Sequence, residues 1–500
     1  MSTGFLVAKL PGKLMSFTEL INQHFLKKLY IYVAANNQPN LVNNEWVSKR
    51  ITDLYSSSTS LFPNLDVRII LNELKRPDKT TIEISDLNID VIIFPQNYNT
   101  EKITSVADLN KKLWVMYNEV ELTEDANSLK YSNMKTYQNV VLGGTFDKLH
   151  NGHKILLTEA LLRCTNKITV GVTNENMKLS DLIEPPEKRI NEVEEFIKSV
   201  DPTLTCEVLL ISDLYGPTKS DPNLNMIVVS SETYKGALKI NELRKEMKLN
   251  ELDIHVVELA QDCSNNEIEE SKVSSSNNRI RLLGTYLKTP VPKPHLPSKP
   301  YMIGLTGGVA SGKSSICKYI GTLGAGVIDC DKVAHELYKP ETKIYYKLIE
   351  VFGENIVSEN GEINRKILGS IVFNDPLKLQ KLNELLWPEI IKKAVQECER
   401  LYEEENKKIV VLEAAVLLKA NWQDRVHEVW STIIPQDEAI ARLMKRNNLS
   451  EEDARLRVNA QSSNLELVKM SNVIFCTLWS YEFTREQVDK AWKSVQAFVE

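Results

Sequence analysis

The sequence predicts an α/β protein made of several parallel-sheet layers, and three observations support this fold class. Strand-like apolar runs alternate with helix-like stretches along most of the chain. Two glycine-rich turns, at residues 143–153 and 307–315, each follow a strand-like run and precede a helix-compatible segment. At 500 residues the chain is long enough for about three domains, each able to bury its own core.

Composition narrows the classes of function. The 61 basic and 67 acidic residues give a net charge of −6, so no nucleic-acid-binding surface is indicated. Seven scattered cysteines without a C-x-x-C pair argue for a reducing compartment and against structural zinc. No apolar run approaches the roughly 18 residues that span a bilayer. Residues 1–29 carry lysines but no arginine, which only partly fits a mitochondrial presequence. We expect a cytoplasmic protein, with mitochondrial or mitochondrial outer-membrane association as the alternative.

The first third, residues 1–136, has the strand and helix alternation but no recognisable chemistry. Its strand-like runs lie at residues 29–33, 67–71 and 91–94. It contains no phosphate loop, acid–base pair or metal cluster. We therefore predict an N-terminal α/β region of unknown catalytic role, with docking of protein partners or regulation as the hypothesis.

The middle of the chain, predicted as a domain over residues 137–289, begins with a strand and a turn rich in glycine and histidine. The strand-like run at 139–142 leads into the segment Gly143-Gly144-Thr145-Phe146-Asp147-Lys148-Leu149-His150-Asn151-Gly152-His153. Gly143 and Gly144 allow the backbone to approach a ligand closely. His150 and His153, with the free N–H groups of a helix start, can hold a triphosphate. The alternative is that one histidine caps the helix and the other packs.

This segment resembles the H-x-G-H nucleotidyltransferase superfamily, which includes class I aminoacyl-tRNA synthetases and small-molecule adenylyl- and cytidylyltransferases. The resemblance implies a Rossmann-like fold in which Thr145, His150 and His153 are catalytic. About 120 residues further on, three serines stand at a predicted helix start, where hydroxyls and free N–H groups can bind phosphates. The run is similar to the serine loop of phosphopantetheine adenylyltransferases and consists of Ser274, Ser275 and Ser276. A serine run is otherwise often only a solvated loop.

Two basic residues are assigned to substrate binding by the same resemblance. Lys178 follows the second strand of this domain, where the family places a lysine near the substrate phosphate. Arg189 lies in the family's basic element, before an amphipathic helix, and is expected to contact that phosphate. Each could instead be an ordinary surface charge. Tyr234 and Lys235 stand where bacterial relatives have an arginine-glycine motif, so the adenine-side contacts are not assigned.

A proline-rich stretch at residues 290–300 separates the last domain, residues 301–500, from the middle one. The stretch contains five of the chain's 19 prolines. Such density prevents helix formation and favours an extended linker.

The second glycine-rich turn fits the phosphate-binding motif G-x-x-x-x-G-K-[ST]. Its backbone N–H groups would surround phosphate oxygens, Lys313 would reach the β- and γ-phosphates, and Ser314 would bind Mg²⁺. The expected phosphate-binding residues are Gly307, Gly308, Val309, Ala310, Ser311, Gly312, Lys313, Ser314 and Ser315. A glycine turn with a chance lysine is the alternative reading.

Two carboxylates end the next predicted strand. The run at 326–331 places Asp329 and Asp331 where parallel sheets present catalytic groups. No N-K-x-D motif of a GTPase is present. The run resembles dephospho-coenzyme A kinases, a resemblance that implies a P-loop kinase fold, Asp331 as the base for the acceptor hydroxyl and Asp329 as an aid to the metal. Alternatively, Asp329 is a helix N-cap and Asp331 a surface residue.

Further arginines fit the same family. Arg365 lies in a block that contacts substrate in the family. Arg442 and Arg446 share one helix face at i, i+4 spacing, and a basic lid over transferring phosphates would be built this way, with Arg442 on the phosphates. Arginines on a charged helix are otherwise often solvated. Trp387 replaces a histidine of bacterial relatives, so no role is assigned to it.

Together the two resemblances cover residues 137–500 and match the bifunctional coenzyme A synthases. They imply that ATP and 4′-phosphopantetheine give dephospho-CoA and pyrophosphate, and that ATP then phosphorylates the 3′-hydroxyl of dephospho-CoA, with Mg²⁺ at both sites. The alternatives are a cytidylyltransferase–nucleoside kinase fusion and a non-catalytic nucleotide-sensing scaffold. A fragment that starts near residue 137 is expected to keep both activities.

Overall fold

A computed structural model of the chain contains two compact units, Met1–Asn278 and Arg279–Glu500. The structure describes residues 2–9, 14–24, 26–34, 44–71, 75, 87–96, 98, 112–117, 135–173, 177–213, 215–262 and 264–499. The predicted domain edges at 136/137 and at 290–300 lie within these two units and stay predictions.

The first sheet of unit 1 is parallel, and the apolar runs of its first four strands are buried on both sheet faces, whereas Leu113 and Met116 of the fifth strand are exposed. Its strand order is β3-β2-β1-β4-β5. The strands are β1 (Ser2–Lys9), β2 (Leu26–Ala34), β3 (Asp66–Ile70), β4 (Val91–Pro95) and β5 (Leu113–Tyr117). The helices described with it are α1 (Thr18–Gln23) and α2 (Asn44–Leu61).

The second sheet of unit 1 repeats this connectivity. Its order is β10-β9-β6-β7-β8, with the first strand central, the next two on one side and the last two on the other. The strands are β6 (Tyr137–Gly144), β7 (Cys164–Thr173), β8 (Thr205–Ile211), β9 (Met226–Ser230) and β10 (Asp253–Val257). The helices are α3 (Asn151–Arg163), α4 (Pro186–Val200), α5 (Tyr234–Glu246) and α6 (Ser275–Leu282), of which residues 279–282 already belong to unit 2. The carboxyl end of β6, between β7 and β9, is therefore a topological switch point, where such sheets bind ligands.

The two layers of unit 1 share one hydrophobic core. Ile31 and Tyr55 from the first layer belong to the same cluster of buried side chains as Ile155, Ala160 and Phe196 from the second. Helix α2 packs directly on α3. Because burial of apolar surface is the main favourable term in folding, separating the layers would expose apolar surface on both.

Unit 2 contains a third parallel sheet with the order β12-β13-β11-β14-β15. Its strands are β11 (Tyr301–Gly307), β12 (Gly326–Asp329), β13 (Ile409–Glu413), β14 (Glu428–Ile433) and β15 (Val473–Cys476). Its helices are α7 (Lys313–Thr322), α8 (Cys330–Leu337), α9 (Lys343–Phe352), α10 (Arg365–Phe373), α11 (Pro376–Glu405), α12 (Gln436–Asn447), α13 (Glu451–Asn459), α14 (Asn464–Met470) and α15 (Tyr481–Val499). The predicted α/β class is confirmed. In the described part of the chain, no helix combines the length and apolar character that crossing a membrane requires.

A buried carboxyl at the start of β14 makes the stability of unit 2 depend on pH. Glu428 is 1% exposed, and burial raises its pKa to about 7, although the indole of Trp430 donates a hydrogen bond to Oε1 at 3.1 Å. Since the folded pKa lies above the ordinary 4.5, the folded state favours the protonated form. The free energy of unfolding of unit 2 therefore decreases as the pH rises from about 4.5 through about 7.

Replacing Glu428 with glutamine should remove this loss. We expect Glu428→Gln to raise the free energy of unfolding by about 2–3 kcal/mol at pH 8 and several-fold less at pH 5. Denaturant titration of both proteins at the two pH values measures the difference, with Glu359→Gln at an exposed glutamate as the control. An equal gain at both pH values would show that Glu428 is not protonated on folding.

Candidate active sites

The first candidate site lies at the carboxyl end of β6, at the start of α3. His150 is the N-cap of α3, and its Nδ1 accepts a hydrogen bond from the backbone N–H of His153 at 3.4 Å. The imidazole rings of His150 and His153 stack with centroids 3.8 Å apart and an interplanar angle of 20°. The capping alternative therefore holds for one nitrogen of His150, and its Nε2 remains directed to another partner.

That partner is Ser275, which brings the serine loop onto the histidines. Ser275 Oγ lies 3.0 Å from Thr145 Oγ1, 3.2 Å from His150 Nε2 and 3.4 Å from His153 Nε2. Thr145 Oγ1 also lies 3.4 Å from His153 Nε2. These four side chains, which we call the histidine site, converge although more than 120 residues separate Ser275 from the others. Two imidazoles and two hydroxyls in one cluster can bind and stabilise an anion such as phosphate.

The other predicted residues of this site take different positions. Gly143 is exposed and Gly144 half-buried at the end of β6. Ser274 accepts a hydrogen bond from the backbone N–H of Asn277 at 3.2 Å, and Ser276 is half-buried in the first turn of α6. Lys178 is exposed on the loop after β7.

Arg189 does not take the predicted position. Its side chain is 0% exposed, and its guanidinium donates to the carbonyl oxygens of Thr145 at 2.5 Å, Thr173 at 3.0 Å and Glu184 at 2.9 Å. A fully buried guanidinium that binds backbone carbonyls has no surface for a substrate phosphate in this conformation. The direct phosphate contact expected for Arg189 is therefore not supported, and the residue instead ties the loops after β6 and β7 together.

Sequence reasoning missed Asn277, which shapes the serine loop. Its buried side-chain amide donates to the carbonyl oxygens of Glu270 at 2.8 Å and Lys272 at 3.0 Å and to the Asp262 carboxylate at 3.2 Å. Its Oδ1 accepts from the backbone N–H of Glu270 at 2.8 Å. Asn277 thereby fixes the loop that presents Ser275, and an asparagine directly after a serine run was the available signal.

The second candidate site is the turn between β11 and α7, whose glycines are required by its geometry. Gly307 has φ +147°, and a Cβ there would overlap Thr432. Gly312 has φ +88°, and a Cβ there would lie 2.9 Å from Thr477. Both backbone conformations are ones that residues with side chains rarely adopt. The predicted phosphate loop is thus present as a tight strand–turn–helix.

Lys313 lies over this turn. Its Nζ donates to the carbonyl oxygens of Gly307 and Gly308, each at 2.9 Å. Desolvation lowers the pKa of the ammonium, while the charges of Glu413 and Asp331 act to raise it. The ammonium is held where phosphates bound by the loop would meet it, as the motif predicts.

The rest of the loop is held by neighbouring side chains. Ser311 Oγ donates to the Gly308 carbonyl at 2.7 Å, and the backbone N–H of Val309 donates to Gln461 Oε1. Arg442 donates to Thr477 O at 2.6 Å and to Ala310 O at 3.4 Å. The arginine expected on the phosphates therefore contacts the loop backbone. Ser315 is half-buried in the first turn of α7.

An acidic side chain that sequence reasoning did not assign completes this site. Ser314 Oγ donates to Glu413 Oε1 at 2.7 Å, because β13 pairs with β11 and ends at Glu413 beside the loop. Asp329 caps α8, its Oδ1 accepting from the backbone N–H of Asp331 at 3.0 Å and of Lys332 at 3.1 Å. Asp331 is exposed on the first turn of α8. We call residues 307–315 with Asp329, Asp331 and Glu413 the phosphate-loop site.

Arg365 lies near the part of α8 that comes after Asp331 in the chain. It is the exposed first residue of α10, and its charge acts on His335 and Tyr338. Desolvation lowers the pKa of His335, and the Arg365 charge adds to this lowering, whereas Asp331 acts to raise it. Arg365 and Asp331 therefore act on the same histidine.

Arg446, the second arginine of the predicted basic lid, forms a hydrogen bond with Asn447 at 2.9 Å.

Comparison with known proteins assigns both sites to families. A dephospho-CoA kinase family model matches residues 301–477, and a cytidylyltransferase-like model matches residues 141–281. A dephospho-CoA kinase of Carboxydothermus hydrogenoformans is 38% identical over 187 residues, which are 37% of this chain and 90% of the relative. One from Staphylococcus aureus is 39% identical over 164 residues, 33% of this chain and 78% of the relative.

Among solved structures, the dephospho-CoA kinase from Campylobacter jejuni aligns with 40% of this chain and 96% of its own, at 26% identity and a TM-score of 0.31. The family is shown by the sequence match to the Carboxydothermus hydrogenoformans kinase, at 38% identity over 90% of that relative. The cytidylyltransferase-like match includes Thr145, His150, His153 and Ser275, and the kinase match includes the entire phosphate-loop site. The chain therefore belongs to the dephospho-CoA kinase family, and it joins that kinase domain to a cytidylyltransferase-like domain as a bifunctional transferase.

Proposed function

We propose that this chain carries out the last two steps of coenzyme A biosynthesis. The histidine site would transfer the adenylyl group of ATP to 4′-phosphopantetheine and release pyrophosphate. The phosphate-loop site would then phosphorylate the 3′-hydroxyl of the dephospho-CoA formed. The observation that carries the proposal is the convergence of Thr145, His150, His153 and Ser275 in the same chain as a dephospho-CoA kinase domain.

In the first reaction a phosphate oxygen of 4′-phosphopantetheine attacks the α-phosphorus of ATP, and the bond to the pyrophosphate oxygen breaks. Negative charge builds on the oxygens around phosphorus as this happens. The imidazoles of His150 and His153 and the hydroxyls of Thr145 and Ser275 would donate hydrogen bonds to those oxygens, and their fixed geometry favours the transition state. Exposed Lys178 would attract the substrate phosphate from the loop after β7, and Gly143 would leave room for ATP.

In the second reaction Asp331 would accept the proton of the ribose 3′-hydroxyl as its oxygen attacks the γ-phosphorus of ATP. Lys313 would follow the transferring phosphoryl group from its position above Gly307 and Gly308. Arg365 would bind dephospho-CoA on the α8 side of the site. Arg442 would stabilise the phosphate loop through Ala310.

Mg²⁺ would be held at the phosphate-loop site by the hydroxyl of Ser314 and the carboxylates of Glu413 and Asp329. Hard oxygen donors of this kind suit Mg²⁺, which also takes phosphate oxygens and water as ligands. Within the described ranges no group of three or more His, Cys, Asp or Glu side chains that could hold a metal is present. When bound, the ion neutralises charge on the β- and γ-phosphates. The histidine site would likewise receive Mg²⁺ together with ATP.

Glu413→Gln tests this assignment. The substitution keeps the size of the side chain and removes its charge beside Ser314. We expect phosphorylation of dephospho-CoA to fall by about 10²-fold or more, with a higher Mg²⁺ requirement, because one anionic oxygen is lost. Adenylyl transfer should be unchanged. Titration of both activities with Mg²⁺ makes the measurement, and Glu405→Gln on an exposed helix end serves as the control. An unaltered Mg²⁺ requirement would remove Glu413 from the metal site.

Mass spectrometry of the products tests the overall proposal. Purified protein with 4′-phosphopantetheine, ATP and Mg²⁺ should yield dephospho-CoA, pyrophosphate and then CoA. A preference for CTP over ATP would favour a cytidylyltransferase fused to a nucleoside kinase. Absence of any turnover in a folded protein would favour a nucleotide-sensing scaffold.

For its location we propose a reducing compartment, the cytoplasm, with the mitochondrial surface as the alternative. Six cysteines in the described part are free thiols, and five of them are buried. Burial raises the pKa of the Cys164 and Cys206 thiols, which makes them poorly reactive. Fractionation of cells with an antibody to the chain tests the location. Docking of protein partners on residues 1–136 stays a hypothesis from the sequence.

A further inference from the structure

Helix α3, which begins at the histidine site, has a polar face that is completely covered. Lys154, Thr158, Glu159 and Arg163 are each less than 10% exposed. Residues of these types usually face solvent unless they are paired. Here they are covered by the first layer of unit 1, since α2 and the start of β3 pack along α3. The first layer is thus matched to α3 by specific polar contacts as well as by apolar ones.

The contact nearest the histidines is made by Asn151, the first residue of α3. Its Nδ2 lies 3.1 Å from the Tyr55 carbonyl oxygen, 2.8 Å from Ser58 Oγ and 2.9 Å from Thr59 Oγ1. The Ser58 and Thr59 hydroxyls themselves donate to the Tyr55 carbonyl, each at 2.9 Å. The residue between His150 and His153 is therefore tied to the last turns of α2.

Further contacts follow at successive turns of α3. Lys154 Nζ donates to Asp66 Oδ1 at 2.6 Å and to the Val67 carbonyl at 3.1 Å. Thr158 Oγ1 lies 3.2 Å from the Tyr55 hydroxyl. Ser48 Oγ donates to Glu159 Oε2 at 2.8 Å. Contacts spaced over three turns fix both the rotation of α3 about its axis and its position along that axis.

We infer that the described residues of the 2–117 stretch form a positioning layer for the histidine site, with Asn151 as its positioning residue. By holding the start of α3 against α2, Asn151 sets where the His150 and His153 rings lie relative to Ser275. This inference rests on the adenylyl transfer proposed for that site. It argues against the expectation that a fragment from residue 137 keeps both activities, because such a fragment loses the Tyr55, Ser58 and Thr59 acceptors of the Asn151 amide and half of a shared core.

Two substitutions in the full-length chain test the inference from opposite sides of the contact. Asn151→Ala removes the donor, and Thr59→Val removes one acceptor with almost no change of volume. We expect kcat for adenylyl transfer to fall about 10–100-fold in Asn151→Ala and less in Thr59→Val, because small displacements of catalytic groups are costly. The KM for ATP should change less than about threefold, and phosphorylation of supplied dephospho-CoA should not change. Asn166→Ala, at an exposed asparagine that donates to Asn139, is the matched control.

The ring positions themselves give a readout that does not need turnover. In protein labelled with ¹³C-histidine, Asn151→Ala and Thr59→Val should shift the NMR signals of His150 and His153 and leave the other five histidines in place. In a His150→Ala background, Asn151→Ala should lower the rate of adenylyl transfer only slightly further, because the Asn151 side chain acts through the His150 ring. Unmoved histidine signals in both variants, or an equal loss in the His150→Ala background, would overturn the inference. Failure of wild-type protein to adenylate 4′-phosphopantetheine would refute the proposed function, and the histidine signals would still decide whether the layer positions them.

Discussion

Lys313→Ala is expected to abolish phosphorylation of dephospho-CoA and to leave adenylyl transfer intact. The Lys313 ammonium lies 2.9 Å from the Gly307 and Gly308 carbonyls, at a loop whose shape is set by its glycines. Its charge would meet the γ-phosphoryl group as negative charge redistributes in the transition state. Loss of such a charge costs on the order of 4 kcal/mol, or about 10³-fold in rate.

The product pattern makes this prediction specific. With 4′-phosphopantetheine and ATP, the Lys313→Ala variant should release pyrophosphate at the wild-type rate and accumulate dephospho-CoA, which mass spectrometry would detect. Lys318→Ala, an exposed lysine on the same helix, should still form CoA. Loss of pyrophosphate release in a folded Lys313→Ala protein would mean that the two reactions do not have separate sites.

The local parts of both sites could be predicted from the sequence because their geometry is set by neighbouring residues. The spacing of Gly307, Gly312 and Lys313 requires a strand–turn–helix, which the structure contains. His150 and His153 lie on one turn at a helix start, so their stacking also follows from short-range spacing. Neither feature depends on how distant segments pack.

Residues that depend on long-range pairing could not be assigned in this way. Glu413 reaches Ser314 only because β13 lies next to β11 in the sheet, with Leu305 and Glu413 in register. Ser275 is the one of the three adjacent serines that contacts the histidines, because its position on the first turn of α6 directs its side chain toward them. Arg189 carries the same charge whether it faces a phosphate or is buried on carbonyl oxygens, and the sequence does not distinguish these cases.

The contact between the first third and α3 was hidden for a similar reason. Three of its five described strands, β2, β3 and β4, were predicted from their β-branched and apolar runs, and β1 and β5 were not. Lys154 and Thr158 look in sequence like the solvent-facing side of an amphipathic helix. They are buried because α2 covers α3, a pairing between segments about 100 residues apart. An absence of catalytic residues in residues 1–136 therefore does not by itself predict that a fragment without them stays active.

His153→Ala should have the opposite effect to Lys313→Ala. The imidazole Nε2 of His153 lies 3.4 Å from both Thr145 Oγ1 and Ser275 Oγ, and its ring stacks on His150. Its removal would delete a proposed donor to the α-phosphate oxygens, and it leaves the His150 ring without its stacking partner. We expect pyrophosphate release from 4′-phosphopantetheine to fall by about 10³-fold, since each oriented donor contributes several kcal/mol.

Supplied dephospho-CoA should still be converted to CoA by His153→Ala at the wild-type rate, which shows that unit 2 is folded. His153→Gln retains a side-chain N–H donor, so it should recover part of the adenylyl transfer, because the proposed role is hydrogen bonding to charge that develops on phosphate oxygens. His295→Ala, at an exposed histidine, is the control for loss of an imidazole elsewhere. Pyrophosphate release at the wild-type rate by His153→Ala would exclude the histidine site from adenylyl transfer. Equal loss in His153→Gln and His153→Ala would instead show that the imidazole ring itself, through its shape or its charge, is what the reaction requires.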